Sequence, residues 1–338
     1  MSDLITETPE ACRWVAVACE KSRRTSDSVF GSFQAGVIWV DEPYSDGEII
    51  GGRDPSAMID QINNEGWPLY RGHDPGFPSG RSIAAKLFVS PSGRKFVVAI
   101  LGFYANELRL SFGDLGVDSN PEVSSPSMLD SLDSDCQLDI ATDPREVDPE
   151  WLKNVLRDAP LPVVQHELSH NAEEWKHELI RIGLPYVLFV WNPFVTTIAQ
   201  EAAKDVYART RQWLRNLLNE LPSRKSPIVS LQSYQDGCEV SFLIRGKDVK
   251  CHYDAHDSLP IAAAQAASLI SSMKSRNAAP LTLVYEFDSQ LTRWFPSYAT
   301  LEDGRLVSNQ NMLIALEQHP TGLSIGIYKG ENQLSKHK

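Results

Sequence analysis

Two histidines and a glutamate with metal-ligand spacing lie in the middle of the chain, in His166-Glu167-Leu168-Ser169-His170. Residues four apart lie on one face of a helix, so His166 and His170 can bind one zinc ion while Glu167 reaches a water on the metal. Zinc lowers the pKa of its bound water to about 7, and a carboxylate can then act as general base in amide hydrolysis. The pattern therefore predicts a zinc site with Glu167 as the catalytic base.

Uncharged residues flank this pentapeptide, and the surrounding sequence locally resembles the thermolysin-like zinc peptidases (gluzincins). In that family a glutamate on a later helix supplies the third zinc ligand, and an aspartate follows four residues on. The resemblance covers residues 163–205. It implies Glu201, 31 residues after His170, as the third ligand and Asp205 as the partner of a ligating histidine.

A second group of candidate residues lies nearer the start of the chain, in the stretch from His73-Asp74-Pro75 to Gly80-Arg81. It resembles the catalytic-histidine stretch of the phage prohead proteases, which are serine peptidases, and the resemblance covers residues 36–111. It implies His73 as the base and Ser111, in Leu110-Ser111-Phe112-Gly113, as the nucleophile. A serine needs such a base within hydrogen-bond reach. The resemblance also makes a phage-related protein the expected class.

The helical phase of residues 163–182 leaves a third interpretation open. At 100° per residue the apolar side chains fall on one face, and His166, His170, Glu173 and His177 fall on the opposite one. In a two-layer domain that opposite face meets water, so the polar stripe can be a solvated surface. The sequence therefore supports a zinc peptidase as the leading enzymatic function. A serine peptidase and a non-enzymatic, phage- or defence-related binding or scaffold protein are the alternatives.

The local signals predict a mixed α/β (α+β) protein. Asp148-Pro149 starts a helix, a second helix is expected over 163–182, and Asp236-Gly237 joins two strands in a hairpin. The other expected elements are a helix over 55–63, a strand over 185–191, a helix over 193–221, a helix beginning at Ser258, and strands over 281–287, 294–299, 313–317 and 323–328. His252 and His256 are expected in a polar loop before Ser258, as a possible metal site or as solvated residues.

Four regions follow from these elements. Residues 1–113 form a β-rich domain, and residues 114–147 form an acidic linker, since 114–150 holds eleven acidic residues against one basic residue. Residues 148–223 form a helical segment that carries the His166 pattern. Residues 224–332 form an α+β domain with a largely antiparallel sheet.

Composition limits the classes of partner. The net charge of −12 and the pI near 5.2 argue against sequence-independent nucleic-acid binding. Five cysteines without a C-x-x-C pair indicate a reducing, cytoplasmic setting rather than a disulfide framework. No signal peptide is visible, and the uncharged stretch 182–200 contains two prolines, so no membrane span is expected. The expected partner is a protein or peptide, and zinc is the expected cofactor.

Overall fold

The computed structural model describes residues 3–26, 29–41, 54–104, 136–168, 177–185, 187–190 and 201–308, together with 310, 313, 314 and 317. Its first part is a four-stranded antiparallel sheet with the strand order β1-β4-β3-β2. The elements are α1 (Asp3–Glu7), α2 (Pro9–Ser26), β1 (Phe30–Val40), α3 (Pro55–Asn64), β2 (Trp67–Tyr70), β3 (Pro78–Val89) and β4 (Lys95–Tyr104).

Strand β4 explains why this sheet lies between helices. Residues 96–100 are all fully buried, and successive side chains of a strand point to opposite faces. Phe96, Val98 and Ile100 pack in one cluster with Ala11 and Val15 of α2. The intervening Val97 and Ala99 pack in another cluster with the buried side chains of α3. The sheet therefore has a helix on each face.

The second part is an eight-stranded mixed sheet with the order β12-β11-β10-β9-β8-β7-β5-β6. The pairs β5–β6, β7–β8 and β9–β10 are parallel, and the other four are antiparallel. The elements are β5 (Leu138–Thr142), α4 (Pro149–Leu156), β6 (Val163–Glu167), β7 (Glu178–Gly183), α5 (Val187–Val190), α6 (Glu201–Glu220), β8 (Pro227–Gln235), β9 (Cys238–Arg245), α7 (Val249–Lys274), β10 (Pro280–Asp288), β11 (Arg293–Leu301) and β12 (Leu306–Val307).

One face of the large sheet carries the main hydrophobic core. Side chains such as Ile180, Leu231 and Phe242 form a single buried cluster with residues of α4, α5, α6 and α7. Tight packing of this kind fixes the positions of the helices relative to the strands. Side chains carried by α6 and α7 are thereby held on a rigid layer.

The opposite face of the large sheet receives residues 70–77, which we call the docking segment. The guanidinium of Arg245 binds both carboxylate oxygens of Asp74, and its Nε lies 3.2 Å from Glu286 Oε2. The Tyr298 hydroxyl donates a 2.8 Å hydrogen bond to the carbonyl oxygen of Pro75. Asp74 is only 3% exposed. The two sheets are thus joined by a buried ion pair and a buried hydrogen bond.

The fold is a mixed α+β arrangement, as the sequence predicts. The helix start at Asp148-Pro149 and the hairpin at Asp236-Gly237 are also confirmed. The Asp148 side chain accepts from Glu150 N, and the two turn residues have positive φ. Among the residues that the structure covers, no helix combines the length and apolarity needed to cross a bilayer.

The helix expected over residues 163–182 is wrong. Val163–Glu167 is the edge strand β6, paired in parallel with β5, and Glu178–Gly183 is the strand β7. The β-branched Val163 and Val164 suit a strand, and pairing with β5 outweighs the helical spacing of the apolar residues. The residues between these strands, 169–176, lie outside the described part of the chain.

Other boundaries also need correction. Strand β5 lies inside the expected linker 114–147, because Leu138 and Ile140 are buried in the core. Residues 187–190 are helical rather than extended, as are residues 313, 314 and 317 of the strand expected over 313–317. Helix α7 begins at Val249, capped by Asp248, rather than at Ser258. The β-rich first domain carries three helices, and residues 323–328 lie outside the described residues.

Candidate active site

A histidine and an aspartate form a hydrogen-bonded pair on α7. His256 Nδ1 lies 3.0 Å from Asp257 Oδ1, and the same oxygen lies 3.0 Å from Arg211 Nη2 on α6. A carboxylate accepts hydrogen bonds, so Nδ1 carries the hydrogen and Nε2 of the neutral ring keeps its lone pair. We call His256 and Asp257 the dyad.

Among the described residues, the Nε2 atom of His256 has no hydrogen-bond partner, although His256 is only 3% exposed. His256 lines a small, partly open cavity of about 10 Å³. A volume of about 10 Å³ is at the lower limit for one water molecule. Buried polar atoms are nearly always bonded, so a water in this space is the expected partner of Nε2.

The walls of this cavity combine an apolar surface with a few polar groups, as ligand sites commonly do. The polar lining consists of Tyr207, Thr210 and Arg211 of α6. The apolar lining consists of Leu188, Phe189, Leu214, Leu259 and Pro260. The Thr210 hydroxyl donates to Val206 O at 2.8 Å, so its oxygen can still accept a hydrogen bond.

A proline interrupts the backbone hydrogen bonding of α7 at the dyad. Pro260 stands four residues after His256, and proline lacks the N–H that would bond the carbonyl of that residue. The neighbouring carbonyl, that of Ala255, accepts a 3.0 Å hydrogen bond from the indole Nε1 of Trp294 on β11. The dyad is therefore anchored to the sheet on one side and lies next to an interrupted helical turn on the other.

The electrostatic surroundings keep His256 neutral. Burial lowers the pKa of His256, the hydrogen bond to Asp257 opposes this, and the guanidinium groups of Arg211 and Arg215 lower it further. The pKa of Asp257 is also lowered, because hydrogen bonds from His256 and Arg211 outweigh the effect of its burial. A neutral imidazole beside an ionised carboxylate is the form that accepts a proton.

Two other histidines serve as contrasts. Both ring nitrogens of the fully buried His252 face backbone carbonyls, those of Leu218 at 3.3 Å and Gly246 at 3.0 Å. His177 Nδ1 lies 2.9 Å from Ser226 Oγ. The ring of His252 therefore connects α6 to the loop before α7, whereas His256 leaves one nitrogen unused.

The structure does not give the expected zinc residues the geometry that the motif requires. His166 and Glu167 are consecutive residues of β6, so their side chains point to opposite faces of the sheet. Glu167 therefore cannot reach a water on a metal held by His166, as it could if both residues lay on a helix. His166 Nε2 lies 3.6 Å from Asp139 Oδ1, with both side chains about half exposed.

The other expected ligands are less completely placed. His170 lies outside the described residues, and the backbone of Glu201 begins α6. Within the described residues, no group of three or more histidine, cysteine or carboxylate side chains is arranged to hold a metal ion. The zinc site built from His166, His170 and Glu201 stays a prediction. The helix that was its basis is not present at His166 and Glu167, which lie on a strand.

The expected serine site is only partly placed. Ser111 lies outside the described residues, and the backbone of His73 ends a 3-10 turn that runs from Arg71 to His73. The next residue, Asp74, belongs to the docking segment and binds Arg245 of β9. The resemblance of this stretch to a catalytic segment therefore coincides with a contact between the two sheets.

The dyad was not among the expected site residues. A signal was present, because His256, Asp257 and Pro260 together mark a histidine–carboxylate pair beside a proline inside a helical pattern. A helix that starts at Ser258 places His252 and His256 in a solvated loop. In the structure the helix starts at Val249, after the cap at Asp248, so both histidines lie within it and are buried.

Comparison of this chain with protein-family models, with curated proteins and with solved structures gives no match in any of the three. The resemblances to prohead proteases and to thermolysin-like peptidases therefore stay predictions.

Proposed function

We propose that the protein is a hydrolase in which His256 acts as general base and Asp257 orients it. The observation that supports this is a buried histidine that lines a water-sized cavity, with Nδ1 held by a carboxylate and Nε2 without a partner among the described residues. A base held by a second group, with its free nitrogen at a cavity, is the arrangement expected for acid–base catalysis. The reaction class is hydrolysis of an ester or amide, which agrees with the peptidase predicted from sequence.

In this proposal a water in the cavity donates a proton to Nε2 as it attacks the substrate carbonyl. The proton passes to His256, and the ionised Asp257 stabilises the resulting imidazolium through the Nδ1 hydrogen bond. Arg211 lines the same cavity, and a guanidinium there can stabilise the negative charge that develops on the carbonyl oxygen. His256 then returns the proton to the leaving group.

The test is hydrolysis of chromogenic esters, chromogenic amides and an unstructured protein substrate by the full chain. We expect His256→Gln to lower the rate by about 10²- to 10⁴-fold, the usual contribution of a positioned general base. Asp257→Asn should also lower it. His166→Gln, a change of an exposed histidine on β6, is the matched control and should leave the rate unchanged.

The pH profile gives an independent check. Because burial lowers the pKa of His256 below its ordinary value, activity should persist below pH 6.5 and fall only when the ring becomes protonated. Loss of activity in Glu167→Gln and with a chelator would instead favour the zinc peptidase. Loss only in Ser111→Ala would favour the serine peptidase, and absence of hydrolysis in every case would favour a binding protein.

A further inference from the structure

A second hollow of about 320 Å³ opens between the β5–α4 loop and the segment that follows α6. It shares no lining residue with the cavity at the dyad, and its lining is almost entirely polar or charged. Its charged residues are Arg145, Glu146, Asp148, Glu178, Arg224 and Lys225. We call this hollow the Glu146 cleft.

Both arginines of the cleft already have carboxylate partners. Arg145 Nη2 lies 2.6 Å from Asp143 Oδ2, and Asp143 is fully buried. Arg224 Nε lies 2.9 Å from Glu178 Oε2, and these two side chains are each 12% exposed. Asp148 accepts a hydrogen bond from Glu150 N at the start of α4. The two arginines, Glu178 and Asp148 therefore have hydrogen-bond partners within the protein itself.

Glu146 is the carboxyl of the cleft whose acceptor capacity is largely unused. Within the described part of the chain, its Oε1 is buried without a hydrogen-bond partner, and its Oε2 has a single long contact, 3.5 Å from Leu179 N. Burial and the charge of Asp143 raise the pKa of Glu146 to about 7. Glu146 is one of the residues that line the hollow, and the terminal torsion of a glutamate is broad, so its carboxyl can rotate to meet a ligand there.

The charge balance indicates the sign of the missing partner. Three basic side chains in the cleft face its three lining carboxyls and Asp143 behind them, so an ionised Glu146 leaves one negative charge in excess. A single positive charge that donates hydrogen bonds would neutralise this excess and satisfy Oε1. A divalent metal ion would need several free carboxyls, whereas the cleft offers one.

From this geometry we propose that the Glu146 cleft binds an alkylammonium or guanidinium head group, with Glu146 as its counter-ion. The open hollow leaves room for the alkyl chain that carries the head group. Lysine side chains, arginine side chains and polyamine ends share this chemistry. The site is independent of hydrolysis at the dyad.

The probes are n-butylammonium and methylguanidinium, titrated into the full chain by calorimetry, with n-butanol as the uncharged match. We expect saturable binding of both cations and none of the alcohol. Glu146→Gln should weaken binding by about tenfold or more, because a hydrogen bond to a charged group is lost. Glu150→Gln, which removes a neighbouring exposed carboxyl outside the cleft, should leave binding unchanged.

The dependence on pH should follow the ionisation of Glu146. Protonation removes the counter-ion, so binding should be weaker at pH 5.5 than at pH 8 in the wild type and insensitive to pH in Glu146→Gln. Equal affinity in a folded Glu146→Gln, equal binding of n-butanol, or no saturable binding of either cation would overturn the proposal. Displacement of the cation by low concentrations of Mg²⁺ would do so too.

Discussion

At the scale of single residues, His256 differs from the other buried histidine of α7 in how its nitrogens are used. His252 places both ring nitrogens against backbone carbonyls, which is a structural role. His256 lines a cavity and places Nδ1 against Asp257, whereas its Nε2 has no partner among the described residues. The two histidines stand one turn apart on the same helix, so the different roles come from their surroundings.

Arg211 provides a test of those surroundings. The positive charge of Arg211 lowers the pKa of His256, so Arg211→Gln should raise the pKa of His256. The measurement is the pH titration of the histidine ring nitrogens by NMR. Arg209→Gln on the same helix, which loses an exposed contact to Asp205, is the control and should leave His256 unchanged. An unaltered titration in Arg211→Gln would contradict the electrostatic account.

At the scale of elements, the spacing of β3 and β4 depends on a glycine. Gly80 faces the backbone of β4, and a Cβ at this position would overlap the carbonyl oxygen of Gly102 and come within 3.0 Å of Phe103 Cα. Backbone atoms in a paired ladder cannot move aside as a flexible side chain can. The two strands therefore approach closely because residue 80 has no Cβ.

Gly80→Ala should accordingly lower the free energy of unfolding by about 1–3 kcal/mol or more, the usual cost of overpacking. Gly36→Ala on β1 is the matched control, since the added Cβ would meet only Leu101 Cδ1 at 3.4 Å. Chemical denaturation of both variants would measure the difference. Equal stability of the two would mean that β3 and β4 can separate without cost.

The elements also show how far sequence reasoning reaches. Asp148-Pro149 and Asp236-Gly237 act on their own neighbours, so the helix start and the hairpin could be predicted from a few residues. The pairing of β6 depends on β5, about 25 residues earlier, in a region whose acidic composition indicated a linker. The spacing of apolar residues over 163–182 fits a helix. Pairing with the distant strand β5 is what makes residues 163–167 a strand instead.

The same contrast applies to the candidate site. His256 and Asp257 are adjacent in sequence, but the cavity that His256 lines is built by α5 and α6 as well as α7. Burial of His256 by these helices is a tertiary effect that no local pattern carries. The residues of the dyad were therefore visible in the sequence, whereas their environment was not.

At the scale of the whole molecule, buried acids couple stability to pH. Glu317 accepts a 2.8 Å hydrogen bond from the Tyr285 hydroxyl, and burial raises the pKa of Glu317 to about 7 although that bond and Arg293 lower it. The folded state therefore holds this proton more tightly than the unfolded chain, where the pKa is near its ordinary 4.5. The stabilisation is complete below about pH 4.5 and is lost as the pH rises through 7.

Glu317→Gln should remove this dependence while keeping an acceptor for Tyr285. Between pH 4.5 and 8 the wild type should lose up to about 3 kcal/mol more than the variant, because each unit of pKa shift corresponds to about 1.36 kcal/mol. Glu146 titrates in the same direction and range, so the difference between the two proteins isolates Glu317. Urea unfolding at pH 5 and pH 8 gives the measurement, and parallel losses would contradict it.

The docking segment has a consequence for synthesis on the ribosome. Asp74 cannot bind Arg245 until 171 more residues have been synthesised, and the carbonyl of Pro75 cannot bind Tyr298 until 223 more have been. At about 5–20 residues per second, synthesis of those 223 residues takes roughly 10–45 s. During this time the four-stranded sheet can fold with α2 and α3, while the acid that ends up buried stays in water. The last contact between the two sheets therefore closes only after β11 has been translated.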